Sequence, residues 1–208
     1  MTPDPGEGPF WILPVDLDGD DRESDDELFW IHVDGRVRSL GEAAHSFELP
    51  ASSRLSAAPA VADLNGDGHP ELFLAAGRRV HRLGFTGHSY SDWPLRLEEM
   101  AFLDEPMSVG SGLRAADMTG DGISELILFG DSGHLLVVGE SGRPLLGTPR
   151  SLAAAPLQDL IAPGGAVYAL SRDGYLLAFE GDGGTGSEPD WGLGGGDGSR
   201  SLRWRRHH

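Results

Sequence analysis

The sequence predicts an all-β protein, a β-propeller-like array of about four blades forming a partial or incomplete ring. Two observations predict it. A short acidic, glycine-rich loop recurs at blade spacing, and each copy leads into two β-prone runs joined by a tight turn. Asp63-Leu64-Asn65-Gly66-Asp67-Gly68-His69-Pro70-Glu71-Leu72 is the clearest copy. Asp117-Met118-Thr119-Gly120-Asp121-Gly122-Ile123-Ser124-Glu125-Leu126 matches it position for position. Asp16-Leu17-Asp18-Gly19-Asp20 opens a further copy, which reaches Glu27-Leu28 only after the insertion 21–26. The copies start 47 and then 54 residues apart. Repeats of roughly 40–50 residues with three or four strands each read as propeller blades.

The elements follow in order. A short apolar stretch precedes each loop: Trp11 to Val15, Ala58 to Ala62 and Gly112 to Ala116. After each loop come paired runs: Glu27 to Val33 with Arg36 to Leu40, Glu71 to Ala76 with Arg79 to Leu83, and Glu125 to Phe129 with His134 to Val138. A fourth unit has Ala166 to Leu170 and Tyr175 to Phe179 around Asp173-Gly174. A glycine-bearing turn between two such runs is a strong hairpin signal. In the fourth unit Asp159 stands at the first loop position, and 161–165 replaces the rest of the loop. A last strand for the second and third units is expected around 93–97 and 144–146. No run keeps a 3.6-residue apolar period; 95–103 comes nearest and is short. The units fall at about 10–57, 58–111, 112–152 and 153–180, within a repeat region 1–180. Residues 181–208, with nine glycines and the basic end Arg203-Trp204-Arg205-Arg206, read as a flexible tail.

A net charge of −17 over 208 residues disfavours nucleic acid and anionic membrane surfaces as partners. The absence of cysteine excludes disulfides, thiolate metal sites and a Cys nucleophile. No apolar run approaches the ~18 residues of a membrane span, and no signal peptide is visible in the chain.

Residues 58–72, supported by 115–126, resemble the FG-GAP/VCBS-type β-propeller repeats, the calcium-bearing blades also found in integrin α-subunits and bacterial surface proteins. Trp93-Pro94-Leu95 looks like the segment that closes such blades. The resemblance covers about residues 10–180. It departs from the family in lacking the Phe-Gly and Gly-Ala-Pro signatures, and four units are fewer than the seven of the usual closed ring.

The resemblance implies calcium sites. In the second unit the ligands would be Asp63, Asn65, Asp67, the His69 carbonyl and Glu71. In the third they would be Asp117, Thr119, Asp121, the Ile123 carbonyl and Glu125. In the first, Asp16, Asp18, Asp20 and Glu27 are candidates, with the insertion leaving that set in question. Oxygen donors at alternating positions suit a flexible shell of 6–8 oxygens, which favours calcium over magnesium. Zinc prefers His nitrogen and Cys sulfur. An EF-hand would place its last acid at position 12 and lead into a helix, whereas here it falls at 9 and leads into a strand. Affinities on the order of 10⁻⁴–10⁻³ M are expected, as in extracellular modules. Thr119 in place of an acid or amide makes the third site the expected weaker one.

Other groups carry less. Asp and Glu pairs could serve acid–base chemistry, but here they are committed to the loops. Ser108 to Ser111 and Gly139 to Gly142 fail the nucleophile-elbow pattern. His32, His81 and His134 are expected at matching places in the hairpins, and Trp11, Trp30 and Trp93 in blade packing. The expected role is a calcium-binding, non-catalytic binding or adhesion module with a protein or glycan ligand, in an extracellular, cell-surface or periplasmic setting. The alternatives are the propeller domain of a larger secreted enzyme, or a scaffold that self-associates through open blade edges.

Overall fold

The computed structural model describes residues 10–15, 27–40, 45–49, 53–100, 107–145, 147–151, 156–162, 166–171, 174 and 176–180. The loop opening at Asp16, Asp18 and Asp20 and the expected tail 181–208 lie outside them. The described chain forms four antiparallel sheets. The first contains β1 (Phe10–Val15), β2 (Glu27–His32), β3 (Arg36–Leu40) and β4 (Ser46–Glu48), in that order. The second runs β5 (Ala60–Ala62), β6 (Glu71–Ala76), β7 (Arg79–Leu83) and β8 (Leu95–Arg96). The third runs β9 (Val109–Ala116), β10 (Glu125–Gly130), β11 (His134–Val138) and β12 (Arg150–Ser151). The fourth has β13 (Pro156–Ala162), β14 (Ala166–Ser171) and β15 (Leu176–Glu180). Each sheet is a meander, as hairpin-linked strands dictate. The only helical element among the described residues is one 3₁₀ turn, Leu97–Glu99.

The sheets stack as propeller blades do, with the first strands β5, β9 and β13 adjacent, and the described sheets do not close into a ring. Alternation along the strands sends side chains to both faces. In the third sheet Leu126, Leu128, Leu136 and Val138 join a core shared with the first two sheets. Ile127, Phe129, Leu135 and Val137 join a second core with Val167 and Ala169 of the fourth. Because both faces are covered, β10 is buried at every position, and it reads as a continuous apolar run rather than an alternating one. On the outer face of the first sheet Trp30 and His32 are buried while their apolar neighbours are half exposed. Phe10 and Ile12 of β1 and Leu28 of β2, which share that face by register, are 45%, 43% and 39% exposed. On the fourth sheet Leu170 and Leu176, directly opposite each other, are 39% and 68% exposed.

The last strand of the third sheet departs from expectation. Pro144 forms only an isolated bridge to Val138, and the strand is β12. The reason is a connection repeated at an offset of 55 residues. Gly87 N donates to Gly84 O at 2.8 Å, and Gly142 N to Gly139 O at 2.9 Å. Trp93 N donates to Tyr90 O, and Thr148 N to Leu145 O, both at 3.1 Å. Trp93-Pro94 and Thr148-Pro149 are both cis. Thr148-Pro149-Arg150 is therefore the counterpart of Trp93-Pro94-Leu95. Asp159 also differs from expectation. It lies inside β13, paired with Ala169, rather than at the end of that strand. The three histidines are not at matching places: His32 ends β2, His81 is in the middle of β7 and His134 opens β11. Trp30 and Trp93 are buried, and Trp11 packs against the core.

Truncating Phe129, which is fully buried, to alanine is expected to cost about 3–5 kcal/mol in denaturant unfolding. Phe10→Ala, at a half-exposed position, is expected to cost less than about 1 kcal/mol. Equal losses would mean that the Phe10 face is covered in solution.

Candidate metal centre

Both complete acidic loops link the first strand of a sheet to its second, β5 to β6 and β9 to β10. Their last residues open the second strand at one register: Glu71 opposite Ala62 and Glu125 opposite Ala116. Glu27 holds the same place opposite Val15 in the first sheet. Apolar strands on either side hold the loop ends in place, and the glutamate side chain points in among them. Glu71 is fully buried and Glu125 nearly so.

In the second loop, carboxylate oxygens of Asp63, Asp67 and Glu71 lie within 4.8 Å of one another. Backbone amides organise them. Asp63 accepts from Asp67 N at 3.1 Å and Gly68 N at 2.6 Å. Asp67 accepts from His69 N at 2.8 Å. Asn65 donates its side-chain amide to Asp67 Oδ2 at 3.0 Å and accepts from Asp67 N at 3.3 Å. Leu64 N donates to Glu71 Oε2 at 2.9 Å. The third loop repeats this. Asp117, Asp121 and Glu125 converge within the same 4.8 Å. Asp117 accepts from Gly120 N at 2.5 Å and Gly122 N at 2.9 Å, and Asp121 from Ile123 N at 2.9 Å. Met118 N donates to Glu125 Oε2 at 2.6 Å, and Thr119 Oγ1 to Glu125 Oε1 at 3.2 Å. His69 and Ile123 thus contribute the amides that hold the central aspartates.

Gly66, Gly68, Gly120 and Gly122 all have φ between 69° and 86°. Gly66 has a second reason to be glycine: a Cβ there would lie 3.2 Å from Ile123 Cδ1. The two loops therefore touch, and they sit at the same end of adjacent sheets.

One residue at the site escaped the sequence reading. Arg82, on β7 opposite Phe73, donates from Nη2 to Glu71 Oε1 at 2.6 Å, with both side chains buried. Its guanidinium lies 4.1 Å from the centre of the Tyr90 ring and donates to the Glu140 carbonyl of the third sheet at 3.3 Å. Trp93 Nε1 donates to that same carbonyl at 3.2 Å. The signal was the second arginine of Arg79-Val80-His81-Arg82-Leu83, in a sheet that carries an acidic loop.

Burial pushes the Glu71 carboxyl above the usual carboxylate range, while Arg82 and the Leu64 amide pull it back. Burial also raises Glu125, opposed by the Met118 amide and the Thr119 hydroxyl and reinforced by Asp121 and Asp117. Burial lifts the Tyr90 hydroxyl to about 12, with Glu71 adding to the effect. Two carboxylates ~4 Å apart repel by ~1 kcal/mol in water and ~4 kcal/mol at an effective dielectric of 20. The donors are all oxygen: three carboxylates, with Asn65 or Thr119 beside them. This set fits a hard divalent cation of calcium's kind and does not provide the nitrogen and sulfur that zinc prefers.

No family model and no curated protein matches the chain. Among solved structures it is similar to BBS1N in complex with ARL6DN, soaked with lead (18% identity, TM-score 0.59, 83% of this chain and 53% of that one). The mercury-soaked form of that complex gives 17% identity, a TM-score of 0.60, and 83% and 54% coverage. BamB from Moraxella catarrhalis is a more distant likeness, at 18% identity and a TM-score of 0.42 over 77% and 47% of the two chains. The chain thus spans about half the length of the structures it matches. The fold that the likeness to BBS1N shows is a β-propeller.

The raised Glu125 has a definite pH signature. Its folded value lies above its unfolded one, so at neutral pH its ionised form costs stability. In the absence of divalent cations that cost is relieved as pH falls through the raised value toward 4.5. Denaturant unfolding in chelator should therefore show wild type gaining on Glu125→Gln as pH is lowered through that window. Parallel pH curves for the two proteins would remove this account of Glu125.

Proposed function

We propose that the chain is a non-catalytic binding module whose second and third loops each hold a calcium ion, as FG-GAP/VCBS-type blades do. One observation carries this reading: three carboxylates converge at the same register position in two neighbouring sheets. In both loops the glutamate enters the apolar interior beside the two aspartates. When bound, the ion would neutralise the three carboxylates and tie the start of the second strand to the loop. In the second site Asp63, Asn65, Asp67 and Glu71 would hold it, and in the third Asp117, Thr119, Asp121 and Glu125. Such an ion is structural, and the ligand-binding surface is the propeller it stiffens.

A protein ligand is the favoured partner class. The similar propeller of BBS1N is in complex with another protein, ARL6DN. Among the described residues no helix is long and apolar enough to cross a membrane. Adhesion outside the cytosol fits calcium sites of modest affinity, because millimolar calcium is found there.

A self-associating scaffold is a second reading, favoured by the exposed Phe10, Ile12 and Leu28 at one end of the array and Leu170 and Leu176 at the other. What the ends present is apolar residues on a sheet face rather than strand edges alone. A second copy of the chain could stack the first sheet of one molecule on the fourth sheet of the next.

Thermal unfolding in about 5 mM calcium against excess chelator tests the first reading. At about fifty times Kd each site should add about 2 kcal/mol, and the combined Asp67→Asn, Asp121→Asn variant should lose the calcium-dependent shift. A melting temperature that ignores calcium in the wild type would end the calcium reading. Sedimentation velocity tests the second: wild type should associate with rising concentration and Ile12→Asp should stay monomeric. A monomer at all concentrations would end the scaffold reading.

A further inference from the structure

Resting on the calcium reading, we infer that Arg82 makes the second loop the weaker cation site and leaves the third as the tighter one. The two loops are matched almost atom for atom, so the comparison is internally controlled. Glu71 and Glu125 open equivalent strands. Each accepts an amide from the residue after the first aspartate, Leu64 or Met118. The difference lies one strand further on. Arg82 faces Phe73 in the second sheet, and Val137 faces Ile127 at the same position in the third.

Arg82 is therefore a resident positive charge bonded to Glu71, whereas among the described residues no guanidinium acts on Glu125, Arg114 of β9 bonding the Leu113 carbonyl instead. Its guanidinium is 2.6 Å from Glu71 Oε1, and that carboxylate is within 4.8 Å of those of Asp63 and Asp67. It is also held in place, stacked on Tyr90 and bonded to the Glu140 carbonyl. With Leu64 N on Oε2, both Glu71 oxygens are engaged by donors. At Glu125 the acting groups are the Met118 amide, the Thr119 hydroxyl and the carboxylates of Asp121 and Asp117, with no guanidinium among them. A hydroxyl can turn its proton away and offer a lone pair to a cation; a guanidinium has none to offer.

The formal charge is thus −3 at the third cluster and −2 at the second once Arg82 is counted. Asn65 against Thr119 exchanges one neutral oxygen donor for another. A full charge in a partly desolvated site outweighs that exchange, which reverses the order that the loop sequences alone imply. The same arginine lets the second loop keep its fold without metal, because Glu71 is already neutralised. The loops then fill in sequence, third before second, as calcium rises.

Isothermal titration of the full chain with calcium after chelator treatment tests this, using wild type, Asp67→Asn, Asp121→Asn and Arg82→Gln. The expected affinities of the two loops differ by about tenfold or more. Asp121→Asn should remove the tighter event and Asp67→Asn the weaker. Arg82→Gln should tighten the weaker event by about tenfold and leave the tighter one unmoved. Loss of the tighter event in Asp67→Asn, equal affinities at the two loops, or a weaker event unchanged in Arg82→Gln would each overturn the inference while leaving the calcium reading intact. No binding by the wild type would overturn the calcium reading itself, and the order with it. Should Arg82→Gln fail to fold, the two loop variants decide the order alone.

Discussion

The middle sheets must hide both of their faces from water, and most features of the chain follow from that constraint. β6 and β10 are buried along almost their whole length, so neither can exist as the outer layer of a sandwich. Each needs a sheet on either side, and tandem repetition supplies them. Hydrophobic burial at about 25 cal/mol per Å² is non-directional. Direction comes instead from the pleat, which assigns alternate residues to the two neighbouring sheets. Phe129 and Leu128 are adjacent in the chain and fully buried, yet they serve different cores.

The acidic loops impose a conflicting demand on the same strands. Each loop ends on a glutamate that begins a buried strand, so a carboxylate enters the apolar interior. A buried charge is tolerated only when paired or well hydrogen-bonded. The second sheet meets that demand with Arg82, and the third with a backbone amide and a hydroxyl. Arg82 also reaches across to the Glu140 carbonyl, which Trp93 shares. One side chain thus serves both the neutralisation of the loop and a contact between neighbouring sheets. Removing one partner of a buried ion pair typically costs about 3–5 kcal/mol, so the pair resists loss once established.

Much of this was legible in advance. The strands β7 and β11 coincide with the runs read from alternation and turn residues, because a glycine-bearing turn fixes both ends of a hairpin. The convergence of Asp63, Asp67 and Glu71 followed from the spacing alone, since donors at alternate positions of a tight loop must point inward together. The last strand of the third sheet was misplaced because Pro144-Leu145-Leu146 looks more strand-like than Arg150-Ser151. Pairing was decided by the turn built on Gly139 and Gly142, whose 55-residue echo of Gly84 and Gly87 is invisible to a search for apolar runs. Asp159 misled for a related reason. An aspartate reads as a loop opening, but the hairpin register with β14 carries the strand through it.

By itself the sequence determined the fold class, the hairpin units and the composition of the loops. All of these depend on neighbours within about ten residues, where periodicity and turn chemistry dominate. Only the tertiary structure decided which apolar side chains stay exposed at the ends of the array, that Ile123 of one loop rests on Gly66 of the other, and that Arg82 stands beside Glu71 while Val137 holds the matching place near Glu125. Those relations join residues from different strands and different sheets. Electrostatic energy depends on distance in space, and the order of the chain does not reveal it.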